Sequence, residues 1–260
     1  MSAVMRQEQI LDLLRRRGYT GIDELVSRFD VTPQTIRRDL QELSERGLLR
    51  RHHGGASIQS SIANTDYSQR HIEQAAEKER MAAAAASLVT SGSSNFMTPG
   101  TTVEAAAAVI AGSDLTNLRV VTNSTAVADI LGQNRNIVVC VTGGFWQAHN
   151  RALAGPAAVE AVERYRCDVV LTSVGAIDAD GWLLEFRDEE AAVARAMLAN
   201  ARRRILVADH SKFSKVASCK LARVSDMTTL VTDRPPPGSL LNLLEKGPCH
   251  LVIAPAAQTR

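Results

Sequence analysis

Cysteine is sparse in this sequence and scattered. Cys140, Cys167, Cys219 and Cys249 stand dozens of residues apart in a chain of 260, with no C-x-x-C pair and no H-E-x-x-H segment. That spacing excludes a disulfide-stapled mini-protein and offers no zinc site, so buried, reduced thiols are expected. Long apolar runs are missing too: none reaches the roughly 18 residues that a membrane-spanning helix needs. Charges interrupt Met1 to Arg17, where a secretory signal would carry an unbroken apolar stretch, so a cytoplasmic location without a membrane partner is expected. No Ser-His-Asp, Cys-His or metal-ligand constellation stands out. The expectation is therefore a protein that is not an enzyme, with no catalytic residues, no metal and no cofactor. What remains, 45% hydrophobic and 22% charged residues, excludes disorder and suffices for one large or two ordinary domains.

Neither sign of charge dominates the whole, but the excess is unevenly placed. Residues 1–55 hold ten Lys/Arg against eight Asp/Glu, whereas residues 56–260 hold twenty of each, so the formal net charge of +2 belongs to the first fifth. Three helical patterns fit within residues 5–46. Ile10, Leu13 and Leu14 stripe the first, and Ile22, Leu25, Val26 and Phe29 the second. After a short turn at Asp30-Val31-Thr32, the third begins with Thr32 as N-cap and Pro33 at the first helical position. Ile36, Leu40 and Leu43 fix its buried face. Its opposite face presents Gln34, Thr35, Arg37, Arg38 and Gln41, side chains that reach base edges or phosphates from a helix in a DNA major groove. The alternative is a small helical cap in which Arg37 and Arg38 merely pair with Asp39 or Glu42. Leu48 to Gly55 then reads as a β-hairpin wing, apolar at its root and basic at its tip through Arg50, Arg51, His52 and His53, placed for phosphate contacts.

Composition shifts at Gly54-Gly55-Ala56 into the polar stretch from Ser57 to Thr65. The expected organisation is a winged helix-turn-helix over 1–56, a linker over 57–75 and a second domain over 76–260. That domain opens on a helix from Glu73 to Leu88, whose alanine run Ala82 to Ala86 suits tight packing. Beyond it, buried strands at 120–122, 137–142, 168–172, 205–208, 229–232 and 251–253 alternate with helices at 102–110, 125–131, 156–165, 189–202 and 239–245. The fold class is α/β, with an open parallel sheet covered on both faces.

In such a sheet ligands collect at the carboxyl ends of the strands. The residues expected there are Gly100, Thr101, Thr102, Asn123, Gly143, Gly144, Gly175, Asp209 and Lys212. Glycines admit close backbone approach, hydroxyls donate hydrogen bonds and helix N-termini favour anions, which together suit a phosphate. Lys212 would meet the phosphate and Asp209 the hydroxyls of a sugar. Each has a plainer alternative: a turn at Gly143-Gly144, a helix cap at Asn123, a surface ion pair between Asp209 and Lys212. Glu185 is a further candidate acceptor for hydroxyls, with a solvated loop charge as its plainer reading, and Arg151 is a further phosphate candidate.

Ile22 to Phe29, Val31-Thr32-Pro33-Gln34-Thr35-Ile36-Arg37-Arg38-Asp39-Leu40 and Arg50-Arg51-His52-His53-Gly54-Gly55-Ala56 together resemble the winged helix-turn-helix of DeoR-type bacterial transcriptional regulators. Gly100-Thr101-Thr102, Thr122-Asn123, Gly143-Gly144 and Ser211-Lys212-Phe213 resemble the family's sugar-phosphate-sensing domain, a relative in fold of ribose-5-phosphate isomerase. Glu77-Lys78-Glu79-Arg80, Gly175 to Asp178, Leu184-Glu185-Phe186, Ala208 to Phe213 and Thr232 to Pro237 are similar to the glycerol-3-phosphate-responsive branch. The resemblance implies a homo-oligomer, dimer or tetramer, that binds double-stranded operator DNA as a repressor and is released by glycerol 3-phosphate. A regulator of another carbohydrate operon, an activator and an isomerase-like enzyme are the alternatives. Two positions depart from the family: Thr98 stands where it often has Asp, and Ala194 where it tends to have a basic residue.

Overall fold

The computed structural model of the chain describes residues 3–17, 19–46, 48–52, 54–58 and 67–255, which fall into two units, Met1–Ala63 and Asn64–Arg260. In the first unit the order is α1 (Ala3–Arg17), β1 (Tyr19–Gly21), α2 (Ile22–Phe29), α3 (Pro33–Glu45), β2 (Leu49–His52) and β3 (Gly55–Ile58). The apolar stripes meet in one core of Ile10, Leu14, Leu25, Ile36, Leu40 and Leu43. Asp30, in the left-handed conformation at φ 50°, ends α2. The Thr32 hydroxyl then accepts from the Thr35 N–H at 3.3 Å and starts α3, with Pro33 at the position that needs no donor.

A buried charge fixes how α3 meets α1. Asp39, 3% exposed, turns away from the helix's outer face and accepts from Arg6 Nε at 2.5 Å, from Arg6 Nη2 at 3.2 Å and from Gln7 Nε2 at 3.3 Å. The Asp39 carboxylate correspondingly raises the affinity of the Arg6 guanidinium for its proton. The hairpin β2–β3 is antiparallel, Leu49 opposite Ile58, and gains β1 as a third strand along β3. That strand was not expected: three residues between two helices leave no alternation to read.

The second unit runs α4 (Tyr67–Ile72), α5 (Ala75–Ala86), β4 (Ser94–Met97), α6 (Thr101–Ala111), β5 (Leu118–Thr122), α7 (Thr125–Leu131), β6 (Ile137–Val141), β7 (Phe145–Gln147), β8 (Ala152–Ala154) and α8 (Pro156–Glu163). It continues with β9 (Cys167–Thr172), β10 (Ala176–Ile177), β11 (Trp182–Glu185), α9 (Asp188–Ala199), β12 (Ala201–Val207), β13 (Cys219–Arg223), β14 (Thr229–Thr232), α10 (Gly238–Lys246) and β15 (His250–Ile253). Among the described residues, seven strands form one wholly parallel sheet in the order β15-β14-β12-β9-β4-β5-β6.

Alternate residues feed its two faces. Phe96, Val170, Leu206 and Leu230 pack with α8, α9 and α10, while Met97, Val169, Ile205 and Val231 pack with α5, α6 and α7. Ala82, Ala85 and Ala86 of α5 are buried in the second layer with Ala106 and Ala107 of α6, as the alanine run foretold. All four cysteines are free: Cys167 and Cys249 are buried, with thiols pushed up to about 11 by burial, whereas Cys140 and Cys219 are only half-buried.

The expected linker needs correcting. β3 continues to Ile58, and Tyr67 to Ile72 form a helix whose Arg70 is 8% exposed; residues 59–66 lie outside the described residues. Central strand β4 was also missed, because Ser94-Asn95-Phe96-Met97 has no β-branched residue and follows a Ser/Gly-rich turn. Among the described residues no helix is long and apolar enough to cross a membrane, and no cluster of His, Cys, Asp or Glu is arranged to hold a metal.

Replacing Asp39 strips the Arg6 guanidinium of its carboxylate inside the first unit. Asp39→Ala should cost about 2–4 kcal/mol of that unit's stability, read as a lower urea midpoint, and an unchanged midpoint would show the pair to be idle.

Candidate functional site

Two surfaces gather the expected residues, one in each unit. On α3, Gln34, Arg37, Arg38 and Gln41 are exposed and Thr35 is half-buried, as Ile36, Leu40 and Leu43 take the core face. Shallow grooves flank this helix. Arg37, Gln41 and Arg51 of the wing line both, and Gln34, Thr35 and Arg38 line one. Arg38 Nε donates to Glu42 Oε1 at 3.1 Å, and Gln41 Nε2 to Glu45 Oε1 at 2.6 Å. These exposed i,i+4 contacts are weak enough to be exchanged for a phosphate or a base edge. So Arg38 does pair with Glu42, but on the solvent side, and Asp39 is engaged with Arg6 instead. Arg50 and His52 belong to β2 by their backbone, and His53 lies outside the described residues.

The second surface follows from the strand order. From β4 the chain first adds β5 and β6 on one side, then returns to lay β9, β12, β14 and β15 on the other. Neighbouring β4 and β9 therefore lead away in opposite directions, and a crevice opens beyond their carboxyl ends. Pro99-Gly100 leaves β4 there, and Ser173-Val174-Gly175 leaves β9. Gly100 has φ 142°, a backbone conformation that residues with a side chain rarely adopt, so this turn calls for glycine; a Cβ there would also displace the Ser173 hydroxyl, 2.3 Å away. Immediately after it the N-terminus of the eleven-residue α6 opens with Thr101 and Thr102.

The result is a cleft open to solvent. Of the expected residues, Gly100, Thr101, Thr102, Gly175, Asp209 and Lys212 line it. Cations from three other places join them: Arg70 of α4, Lys78 of α5, and Lys215 beyond Lys212. Arg70 and Lys78 are nearly enclosed, at 8% and 7% exposure, and burial pulls both below their ordinary proton affinities. Arg70 Nη2 donates to the His149 carbonyl at 2.9 Å and to Asn150 Oδ1 at 3.1 Å. Lys78 Nζ donates to the carbonyls of Arg70 and of Glu73, the latter at 2.6 Å. Sequence reasoning missed Arg70 because it was assigned to the linker, and saw Lys78 only as part of a resemblance.

Carboxylates face these cations. Asp209, 2% exposed, accepts from the Ser211 N–H at 3.0 Å and so shapes the turn that carries Lys212. His210 braces the same turn from the far side, its Nδ1 lying 2.8 Å from Asp233 Oδ2. Glu185 corrects its plainer reading as a solvated charge: it lines the cleft, and burial beside Glu190 pushes its carboxyl up to about 8. Lys212 is pulled down to about 8 by burial and by Lys215, against the pull of Asp209 and Glu185.

An adjoining small hollow is lined by Thr98, Asn123, Asn150, Glu185, Glu190 and Ala194. Asn123 is not the helix cap, since Ser124 caps α7; its Nδ2 donates to the Leu153 carbonyl at 2.8 Å, and its buried Oδ1 has no protein partner among the described residues. Thr98, in the position of the family's frequent Asp, is 3% exposed and donates to Thr172 Oγ1 at 3.1 Å, tying β4 to β9 with a neutral group. Gly143 and Gly144 line neither space. They form the turn into the β7–β8 hairpin, where a Cβ on Gly144, at φ 132°, would meet the Ala154 carbonyl oxygen at 2.6 Å. Arg151 likewise turns to Asp129, at 3.2 Å.

The cleft thus offers an anion a helix N-terminus and four cations, and offers hydroxyl groups several carboxylate or amide acceptors. Raising the pH through 8 ionises Glu185 and discharges Lys212, and both changes make the cleft more negative. A phosphate has already lost its second proton near pH 6, so affinity for a phosphate monoester should fall about tenfold or more from pH 7 to pH 9. Calorimetric titration across that range checks this, and Glu185→Gln should flatten the fall.

Comparison with known proteins covers both units. Residues 6–62 match the DeoR-like helix-turn-helix domain and residues 73–234 the DeoR C terminal sensor domain. The chain is 43% identical over 248 residues to the HTH-type transcriptional repressor CsqR of Escherichia coli (strain K12), across 95% of this chain and 94% of that protein. It is 38% identical over 244 residues to the glycerol-3-phosphate regulon repressor of the same organism, across 94% and 96%. Ribose-5-phosphate isomerase A from Methanocaldococcus jannaschii superposes with a TM-score of 0.41 at 14% identity, over 54% of this chain and 55% of that one, a likeness too loose to carry an argument. Matched in both units and along nearly all its length, the chain belongs to the DeoR family of helix-turn-helix transcriptional regulators.

Proposed function

We propose that the protein is a transcriptional repressor whose hold on operator DNA is weakened by a small phosphorylated polyol, with glycerol 3-phosphate the first candidate. The observation that carries this reading is the cleft at the β4–β9 crevice, where Thr101 and Thr102 at a helix N-terminus meet Arg70, Lys78 and Lys212. Such a set binds a phosphate by dipole and charge together. Asp209, Glu185 and the open Oδ1 of Asn123 supply acceptors for hydroxyls. A relative named for the glycerol-3-phosphate regulon, similar over nearly the full chain, supports the choice of polyol. The relative of higher identity has a name that specifies no effector, so other phosphorylated sugars belong in the same assay. No metal or cofactor enters this reading.

On DNA, α3 would lie in the major groove, with Arg37, Arg38, Gln34 and Gln41 toward the bases and Arg51 of the wing toward a phosphate. Two copies of the chain would hold paired half-sites, in a dimer or a tetramer. The effector would lower operator affinity by a coupling of about 1–3 kcal/mol, and the operator would weaken effector binding equally.

Two substitutions separate the halves of this scheme. Arg38→Ala should weaken operator binding by about 1–3 kcal/mol and leave effector affinity intact. Lys212→Ala should leave operator binding intact and blunt release. Both are read in DNA titrations at fixed salt on a duplex that the protein itself selects from random sequence. Glycerol 3-phosphate, glycerol and other sugar phosphates are added in turn. Release by glycerol 3-phosphate alone supports the full reading, release by another phosphate changes the effector, and release by none overturns the sensor role of the cleft.

A further inference from the structure

The short helix α4 is the first described element after the wing strand β3, joined to it through residues 59–66. Six residues make too little helix to be stable alone, so its place depends on what holds it. Two of its ties lie on one side. The Tyr67 hydroxyl donates to Glu104 Oε2 at 2.8 Å, and His71 Nε2 lies 2.8 Å from the same oxygen. Glu104 is 2% exposed in the first turns of α6 and is a fixed anchor.

A second set of ties is of another kind, because the groups that make them also line the effector cleft. The backbone carbonyl of Arg70 accepts from Lys78 Nζ and, at 3.3 Å, from Thr101 Oγ1. The Arg70 guanidinium donates to the His149 carbonyl and to Asn150 Oδ1, both neutral acceptors. Lys78 and Thr101 are thus donors that an anion in the cleft would recruit, and they are at the same time part of what docks α4. A hydrogen bond to a charged acceptor is about twice as strong as one to a neutral carbonyl, so a phosphate would win these donors.

Resting on the effector reading above, we propose that the Arg70 carbonyl of α4 and the effector compete for Lys78 and Thr101, and that this competition is how the cleft acts on the DNA-binding unit. With the cleft empty, α4 is docked and the chain leading from the wing leaves the sensor at a fixed point. With an anion bound, α4 loses the hydrogen bonds that Lys78 and Thr101 give its Arg70 carbonyl, its docking loosens, and the two DNA-binding units of an assembly lose their set spacing. Competition also fixes signs. Anything that loosens α4 from outside the cleft must tighten effector binding and weaken operator binding together.

Tyr67→Phe makes that change, since it removes the tie to Glu104 and leaves the cleft-lining donors untouched. With the full-length protein and glycerol 3-phosphate as probe, the variant should bind the probe about 3- to 10-fold more tightly and the selected duplex about 3- to 10-fold more weakly. A helix of purely structural importance would lower both affinities, and unchanged affinities would equally overturn the proposal. Hydrogen exchange of the wild-type chain gives a second readout that needs no variant. Amides of residues 67–74 should exchange faster when the probe is added, and slower exchange, meaning that the anion clamps α4 through Arg70, would overturn it. Inorganic phosphate and glucose 6-phosphate are run beside glycerol 3-phosphate. If one of these releases the wild type from DNA while Tyr67→Phe behaves as described, the inference stands and only the name of the effector changes. If none binds, the effector reading fails and this inference fails with it.

Discussion

The close approach of two turns beyond the sheet is the constraint on which the sensor unit depends. β4 and β9 are hydrogen-bonded neighbours, yet the chain leaves them toward opposite halves of the sheet, and Gly100 and Ser173 meet where it parts. A side chain at Gly100 would strain its φ of 142° and so the turn that aims the N-terminus of α6 into the crevice. Thr98 and Thr172, at the last rungs of the same two strands, close the sheet just beneath this point. Everything that bears charge in the cleft is carried on segments that start from this junction or pack against it.

Several charged groups of the cleft are held by neutral partners. Arg70 and Lys78 spend hydrogen bonds on backbone carbonyls, Asp209 spends one on a backbone N–H, and Glu185 and Lys212 feel each other through space. Groups engaged with neutral partners can be recruited by a ligand at smaller cost than groups locked to an opposite charge. The DNA-reading face follows the same rule by other means. Arg38 and Gln41 rest on exposed glutamates of their own helix, while the one carboxylate of α3 that is buried, Asp39, is committed to α1.

Much of this was legible in the sequence where local rules govern. Thr32-Pro33 declares the start of α3, and the spacing of Ile36, Leu40 and Leu43 assigns its inner face, so the outward residues follow by subtraction. Val120 to Thr122 and Leu230 to Thr232 are apolar enough to read as buried strands. Ser94 to Met97 is not, since its strand character comes from the two neighbours that pair with it. Arg70 was out of reach for a related reason. Nothing local tells a polar segment that caps a distant cleft from one that merely connects domains. Gly143-Gly144 shows the converse error: its composition suits a phosphate loop, but its position in space is decided by the β7–β8 hairpin that it feeds.

Strand bodies and strand ends carry separate duties in this unit. Phe96, Met97, Val170 and Leu206 fill the layers, whereas Asn123, Asp209 and Lys212 border the cleft and its hollow. Substitutions among the second group can alter what is bound without emptying the core, so the scaffold is free to drift in chemical preference while its architecture is inherited unchanged. Thr98 and Gly100 are the exceptions, because they line the bound space and also hold two strands and two turns together. Lineages of this fold should therefore diverge in effector fastest at the rim and slowest at Gly100, whose backbone conformation few other residues adopt.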